Sequence, residues 1–213
     1  MSPPEPPADC PLCPRLAAFR DLQRTTHPGW FNAPVPTFGD PGAWLAIVGL
    51  APGLNGANRT GRPFTGDFAG ILLYETLLKF GLAEGSYDAR PNDGLRLDGA
   101  IIVNAVRCLP PQNKPTPEEI RTCRPFLEGA LADLPAVRVV VALGQIAHQS
   151  TVKALGGRLP KAKFGHLAEH ALPSGLVLVD SYHCSRYNQN TRVLTAEMFE
   201  AVFARAVELG SGR

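Results

Sequence analysis

Trp44-Leu-Ala-Ile-Val-Gly-Leu50 is apolar at every position. A strand with one wet face alternates polar and apolar residues. A run with no polar face needs cover on both sides, as a buried parallel strand has. A Gly-rich segment, 51–70, follows it, and then an apolar helical stretch, 71–82. The same order recurs down the chain. Residues 99–106 read as a second strand, ended by Pro110 and Pro111. Thr116-Pro-Glu-Glu119 is a capping box with proline at the first helical position, and predicts a helix over 117–134. Residues 137–143 are a third strand and 144–155 a third major helix; 175–180 are a fourth strand and 195–209 a last helix. This alternation predicts an α/β fold, a single-domain three-layer α/β/α sandwich around a central four-stranded parallel sheet. Sites in such sheets form outside the carboxyl ends of the strands. Segments 50–67, 104–108 and 183–195 fall there.

Outside this frame, residues 1–9 are Pro-rich and expected to be flexible, and 210–213 are expected to be a tail, leaving 10–209 as the domain. Residues 10–24 read as a short helix with Leu16, Phe19 and Leu22 on one side. The stretch 25–42 carries Pro28, Pro34, Pro36 and Pro41 and reads as loop; 83–97 reads as a polar connection and 156–173 as a second loop.

The chain has 213 residues, 45% hydrophobic and 19% charged, which is globular composition and excludes disorder and coiled coil. No apolar run approaches the roughly 18 residues of a membrane span. The N-terminus has neither a basic nor an apolar leader region, so the expected location is the cytoplasm, at the nucleoid. A net charge of +2 is too small to argue nucleic-acid binding. Arginine outnumbers lysine 16 to 5, which suits bidentate phosphate contacts but is also what a GC-rich genome produces.

There are five cysteines. In a reducing compartment disulfides are not expected. Cys10 and Cys13 form a CxxC pair, and Cys108 and Cys123 lie far along the chain. Four thiolates closing on one metal centre fit this pattern, and both zinc and a [4Fe–4S] cluster accept such a set; buried structural thiols are the plainer reading.

Three segments carry chemistry. Gly49 to Asp67 follows a strand and precedes a helix. Its glycines let backbone N–H groups approach an anion or a base. It lacks the Gly-Lys-Ser/Thr of a phosphate-binding loop. Asp67, beside a helix start, is either an acid of the site or an N-cap. Asn104 ends a strand, where its amide presents a donor and an acceptor to an amide-like edge or caps the loop. His183 opens a cluster of small polar and basic groups, His183-Cys-Ser-Arg-Tyr-Asn188.

Together these residues resemble the iron–sulfur branch of the uracil-DNA glycosylase superfamily, and within it family 5, the type B enzymes. Gly49-Leu-Ala-Pro-Gly53 with Phe64-Thr-Gly-Asp67 resembles the first motif; Asn104 before Arg107-Cys108 resembles the uracil-reading strand end; His183-x-Ser185 with Asn188 resembles the second motif. The second motif is usually His-Pro-Ser, and Cys184 stands where the proline would. Leu50 occupies the position where family 4 carries Glu, so the acid role passes to Asp67.

The resemblance implies hydrolysis of the N-glycosidic bond of uracil, and of other deaminated bases, in DNA, as a step of base excision repair. Asp67, Asn104 and His183 would be catalytic. Gly49, Leu50, Ala51, Pro52, Gly53, Asn58, Phe64, Asn104, Ser185 and Asn188 would bind the base, with Phe64 stacked on it. Arg59, Arg62, Ser185, Arg186 and Arg192 would contact DNA. Cys10, Cys13, Cys108 and Cys123 would hold a structural [4Fe–4S] cluster, with no catalytic metal. No lysine occurs in the three segments, which implies a monofunctional enzyme. The expected partner is DNA containing uracil or related lesions, without a membrane and with the protein a monomer. Two other readings compete: a catalytically weak or inactive DNA-damage-binding iron–sulfur protein of the same fold, and a redox module in which Cys184 is a reactive thiol beside His183.

Overall fold

A computed structural model describes residues 5–211. In chain order its elements are α1 (Pro14–Thr26), β1 (Phe38–Gly39), β2 (Leu45–Gly49), α2 (Ala57–Thr60), α3 (Phe68–Lys79), β3 (Ala83–Glu84), β4 (Arg96–Leu97), β5 (Ala100–Asn104), a 3-10 turn (Pro111–Asn113), α4 (Pro117–Ala132), β6 (Val139–Leu143), α5 (Gln145–Ala154), β7 (Glu169–Ala171), β8 (Val177–Ser181), α6 (Arg186–Asn190) and α7 (Ala196–Ser211).

The sheet has six strands in the order β1-β5-β2-β6-β8-β7. Its central four, β5, β2, β6 and β8, are parallel and are the four strands the apolar runs predict. The outer two, β1 and β7, pair antiparallel. They correct the four-stranded expectation. They are two and three residues long, too short to show periodicity, and lie in segments that their prolines and glycines mark as loop. Short edges of this kind limit pairing with other chains. The connection 83–97 likewise contains the small hairpin β3–β4.

Successive residues of each central strand face opposite layers. Leu45 and Ile47 pack with Leu73, Leu77, Phe199 and Phe203 of α3 and α7. Ala46 and Val48 pack with Leu127, Leu131, Ala147 and Val152 of α4 and α5. Both faces are therefore dry, which is why these strands carry no polar alternation. The capping box forms as read: Thr116 Oγ1 accepts from the Glu119 N–H, and Glu119 Oε2 accepts from the Thr116 N–H.

Three boundary expectations need correction. Helix α1 buries Leu16, Arg20 and Gln23, while Leu22 is 55% exposed and Phe19 is half-buried. The helix lies against a nest of cysteines instead of the sheet, and its polar Arg20 reaches the Cys10 carbonyl at 3.0 Å. Of the segment expected to be flexible, residues 1–4 lie outside the described residues, and the rest is tied down. Glu5 accepts from Arg107 Nη1 at 3.0 Å and from the Thr37 N–H at 2.9 Å. The expected tail begins inside α7: Gly210 is packed so closely on Trp44 that a Cβ there would lie 2.3 Å from the indole. Residues 212 and 213 lie outside the described residues. Among the described residues no helix is long and apolar enough to cross a membrane.

The strand that leads into the third segment is anchored by a buried polar group. Asp180 of β8 is held by His148 Nδ1 at 2.8 Å and His170 Nε2 at 3.1 Å, and His148 Nε2 lies 3.0 Å from the Ala162 carbonyl. Burial alone would push the His148 pKa down, but the Asp180 carboxylate and the Ala162 carbonyl outweigh it and raise the pKa above its ordinary value. A raised folded pKa contributes stability that is fully present below about pH 6.5 and is lost as pH rises through the folded value. His148→Leu is expected to cost about 3 kcal/mol at pH 6, because Asp180 loses a buried partner. The difference in melting temperature from the native chain should shrink by pH 9; an unchanged gap would remove the charged pair from the account.

Candidate active site

At the carboxyl end of the sheet, β2 and β5 run in register and bring Gly49 beside Asn104. Gly49 has no side chain for a steric reason: a Cβ there would lie 2.4 Å from Asn104 Oδ1 and 2.8 Å from the Phe64 ring. The bare backbone lets the amide and the aromatic ring converge on one cavity of about 330 Å³. Leu50, Ala51, Pro52, Gly53, Phe64, Asp67, Asn104, His183, Ser185 and Arg186, all expected from the sequence, line it.

Asn104 is 3% exposed, and its Oδ1 has no hydrogen-bond partner among the described residues. A buried carbonyl oxygen left unpaired costs about 1–3 kcal/mol. An N–H that reached this oxygen would recover that cost. Phe64 belongs to the core cluster and also forms a wall of the cavity. It is buried, with φ +54°, and its ring centroid lies 6.2 Å from that of His183.

Asp67 caps a helix and also lines the cavity. It is the N-cap of α3, with Oδ1 accepting from the Gly70 N–H at 3.1 Å. Its Oδ2 points back toward the glycine loop, where a Cβ on Gly56 would come within 2.5 Å and one on Gly53 within 3.5 Å. Burial raises the Asp67 pKa, against the backbone N–H groups of Gly70 and Ala69, which lower it. The carboxylate is thus a better proton acceptor than an exposed Asp. Burial pushes the His183 pKa down, leaving a neutral imidazole at neutral pH.

The second motif is held by its own backbone. Asn188 Nδ2 donates to the His183 carbonyl at 2.8 Å, and Gln189 Nε2 to the Cys184 carbonyl at 2.7 Å. Asn188, expected to bind the base, supports the loop behind the cavity instead. Asn58, also expected to bind the base, is 2% exposed and donates to Asn32 Oδ1 at 2.9 Å, bracing the Gly-rich segment from behind. Cys184 is fully buried in the core, and burial drives its thiol pKa far up. That removes the reading of it as a reactive thiol.

The arginines divide. Arg62 is 4% exposed and gives both terminal nitrogens to Asp93 at 2.8 Å, so the expectation that it contacts DNA is corrected. Arg59, Arg186 and Arg192 are exposed, and Arg186 lies 4.8 Å over the Phe68 ring at the cavity rim. Sequence reasoning missed Asn113, which lines the cavity from the turn after Cys108. Gln112 and Asn113 are successive left-handed residues, φ +56° and +57°. The Pro110-Pro111-Gln-Asn run signalled a turn, but nothing in it located the turn at the site.

A second cluster lies behind this wall. Cys10, Cys108 and Cys123 are buried with Leu16, Val106 and Phe126, Cys13 packs against them, and all are free thiols. Burial first, and then the neighbouring sulfurs, push Cys13 up to about 11 and Cys108 up to about 12. The Arg107 N–H donates to Cys123 Sγ at 3.4 Å. Arg15 clamps α1 to α4 through Glu119 at 2.7 and 2.8 Å.

The chain matches the family model described as the uracil DNA glycosylase superfamily over residues 36–206. It is similar to the type-5 uracil-DNA glycosylase of Thermus thermophilus, 48% identical over 94% of this chain and 93% of the relative. It is 39% identical to the type-5 uracil-DNA glycosylase of Pyrobaculum aerophilum over 93% of this chain and 88% of that protein. The type-5 uracil-DNA glycosylase of Mycobacterium bovis is also 39% identical, over 94% of this chain and 78% of the relative.

The cavity's dependence on a missing side chain is testable. Gly49→Ala is expected to cost about 1–3 kcal/mol by overpacking, because Asn104 and Phe64 must both move. An unchanged melting temperature would mean that the amide and the ring are not held as tightly as their spacing implies.

Proposed function

The chain belongs to the uracil DNA glycosylase superfamily, and from that premise we propose that it is a uracil-DNA glycosylase that hydrolyses the N-glycosidic bond of a flipped-out base in DNA repair. The observation that carries the reading is the convergence of Asn104, Phe64, Asp67 and His183 on one cavity, with the buried Oδ1 of Asn104 left without a partner among the described residues. Uracil offers an N3–H to it, whereas cytosine offers only a lone pair at N3. Hypoxanthine carries the same N–H beside a carbonyl, so it fits the same acceptor. The base reaches the cavity only by leaving the stack, at a few kcal/mol, and the Phe64 ring replaces part of the lost stacking.

As the C1′–N1 bond breaks, its electron pair passes to the base and positive charge develops on the sugar. Asp67 orients a water toward C1′, takes its proton and stabilises that charge. The neutral His183 ring donates a hydrogen bond to the departing uracil anion. The products are free base and an abasic site. The lining of the cavity includes no lysine among the described residues, which supports water as the nucleophile and a monofunctional enzyme. Arg59, Arg186, Arg192 and the Ser185 hydroxyl face backbone phosphates. Tyr187, 73% exposed beside Arg186, fills the gap the base leaves. We take the enzyme to act as a monomer, at the nucleoid in the cytoplasm. Asn58, Asn188 and Arg62 hold the loops and do not touch substrate.

The four thiols Cys10, Cys13, Cys108 and Cys123 fit a structural [4Fe–4S] cluster. Their apolar nest favours neither ionised nor ion-paired thiols without a metal. Among the described residues no three of these sulfurs lie within 4.8 Å of one another. Tetrahedral zinc would draw them to about 3.8 Å. The cluster would cross-link α1, the Cys108 turn and α4, and contribute no step to hydrolysis. Protein purified without oxygen is expected to be brown, and Cys108→Ser is expected to lose the colour together with several degrees of melting temperature. Colourless protein holding one zinc would overturn the assignment.

The function is tested by base release from a duplex with one U·G pair. Native protein should release uracil, and Asp67→Asn should be about a hundredfold or more slower. The native rate should fall as pH drops through an Asp67 pKa that burial has raised, and the mutant should lose that dependence. Release untouched by the mutation would return Asp67 to capping alone. Tight lesion binding without release would leave a damage-binding protein.

A further inference from the structure

Phe64 is a bulky residue in the left-handed region, φ +54°. Such a backbone persists only where the surroundings force it. The hydroxyl of Tyr87 donates to the Phe64 carbonyl at 3.1 Å and accepts from the Gly66 N–H at 3.4 Å, so it bridges the peptides on either side of Thr65. The neighbouring residues are held as well: Tyr74 of α3 donates to the Pro63 carbonyl at 2.6 Å, and within the segment Arg62 Nε donates to Thr65 Oγ1 at 2.6 Å. Gly70 of α3 presses on the same spot; a Cβ there would lie 1.7 Å from the Phe64 oxygen and 2.6 Å from the Tyr87 hydroxyl.

Tyr87 belongs to the loop between β3 and β4, away from all three motif segments. That loop is latched to the Gly-rich segment. Asp93 pairs with Arg62 and also accepts from the N–H groups of Asp88 and Leu95. The Arg62 guanidinium lies 5.3–5.8 Å from the rings of Phe38, Tyr74 and Tyr87. The Tyr74 and Tyr87 rings are 4.6 Å apart. The latch therefore sets where the Tyr87 hydroxyl sits.

We propose that Tyr87 is a positioning residue for base excision: its hydroxyl fixes the Phe64 peptide and thereby the plane on which the flipped base stacks. This rests on the assignment of Phe64 as the stacking wall. Tyr87 touches neither the base nor the water. It acts through the peptides that flank Thr65, chiefly that of Phe64, and displacement of a stacking surface by a fraction of an ångström is enough to move C1′ relative to Asp67.

The test is a double-mutant cycle on single-turnover uracil release. Tyr87→Phe keeps the ring against Tyr74 and Arg62 and removes only the hydroxyl. It is expected to slow release by about tenfold to a hundredfold, and to add no further loss in a Phe64→Ala background. Tyr87→Phe should also weaken binding to a duplex carrying non-hydrolysable 2′-fluoro-deoxyuridine while leaving affinity for an abasic duplex unchanged. Native rates for Tyr87→Phe would overturn the proposal, as would the same fold-loss on Phe64→Ala, or equal weakening on both duplexes. A native rate for Phe64→Ala would instead remove the stacking wall itself, and the role of Tyr87 with it.

Discussion

Parallel pairing of β2 with β5 places a residue with no side chain next to one whose amide must face inward. The site depends on that juxtaposition. Gly49 cannot carry a Cβ without striking both Asn104 and Phe64, so the cavity exists because one strand end is bare. The backbone continues the pairing past the strands, with the Ala105 N–H on the Gly49 carbonyl and the Val106 N–H on that of Leu50, both at 2.9 Å. These bonds fix Gly49 and Leu50, where the cavity wall begins. The cavity's polarity then comes from a few groups: an amide with an unpaired acceptor, a carboxylate made more basic by burial, and an imidazole kept neutral by burial.

The charge balance around this cavity follows from the same economy of partners. Arg62 is buried only because Asp93 meets it with both oxygens and three aromatic rings surround it. A buried guanidinium without such partners would be strongly destabilising. The other motif arginines, Arg59, Arg186 and Arg192, lie in water. Whether a motif arginine is buried or left in water thus turns on whether a carboxylate lies within reach, and for Arg62 that carboxylate is about 30 residues away in sequence.

The cysteine nest is linked to the cavity by chain continuity. Cys108 follows Asn104 by four residues, and the turn with Asn113 lies between Cys108 and Cys123. Whatever fixes those two sulfurs fixes the turn that presents Asn113. The clamp of Arg15 on Glu119 uses a carboxylate already committed to the capping box of α4, so helix start, interhelical tie and cysteine placement share one side chain.

How much was legible in the sequence follows from which interactions are local. The four central strands declare themselves because burial on both faces leaves unbroken apolar runs, and α4 because its cap is written in four consecutive residues. Asp67, Asn104, His183 and Phe64 were legible because each stands in a motif at a strand or helix end. The edge strands β1 and β7 were not, since two or three residues carry no period. Asn113, Tyr87 and the fate of Arg62 were not, since each depends on a partner distant in the chain: a cavity wall, a bent backbone at Phe64, and Asp93. Nor could sequence show that Asn58 and Asn188 brace loops, because an asparagine that binds a ligand and one that binds a backbone carbonyl are the same residue. The sequence by itself determined the layers and the chemical types at the strand ends. Only the tertiary structure decided which side chains face the cavity, because facing is set by distant packing and by which partner is near enough to take each hydrogen bond.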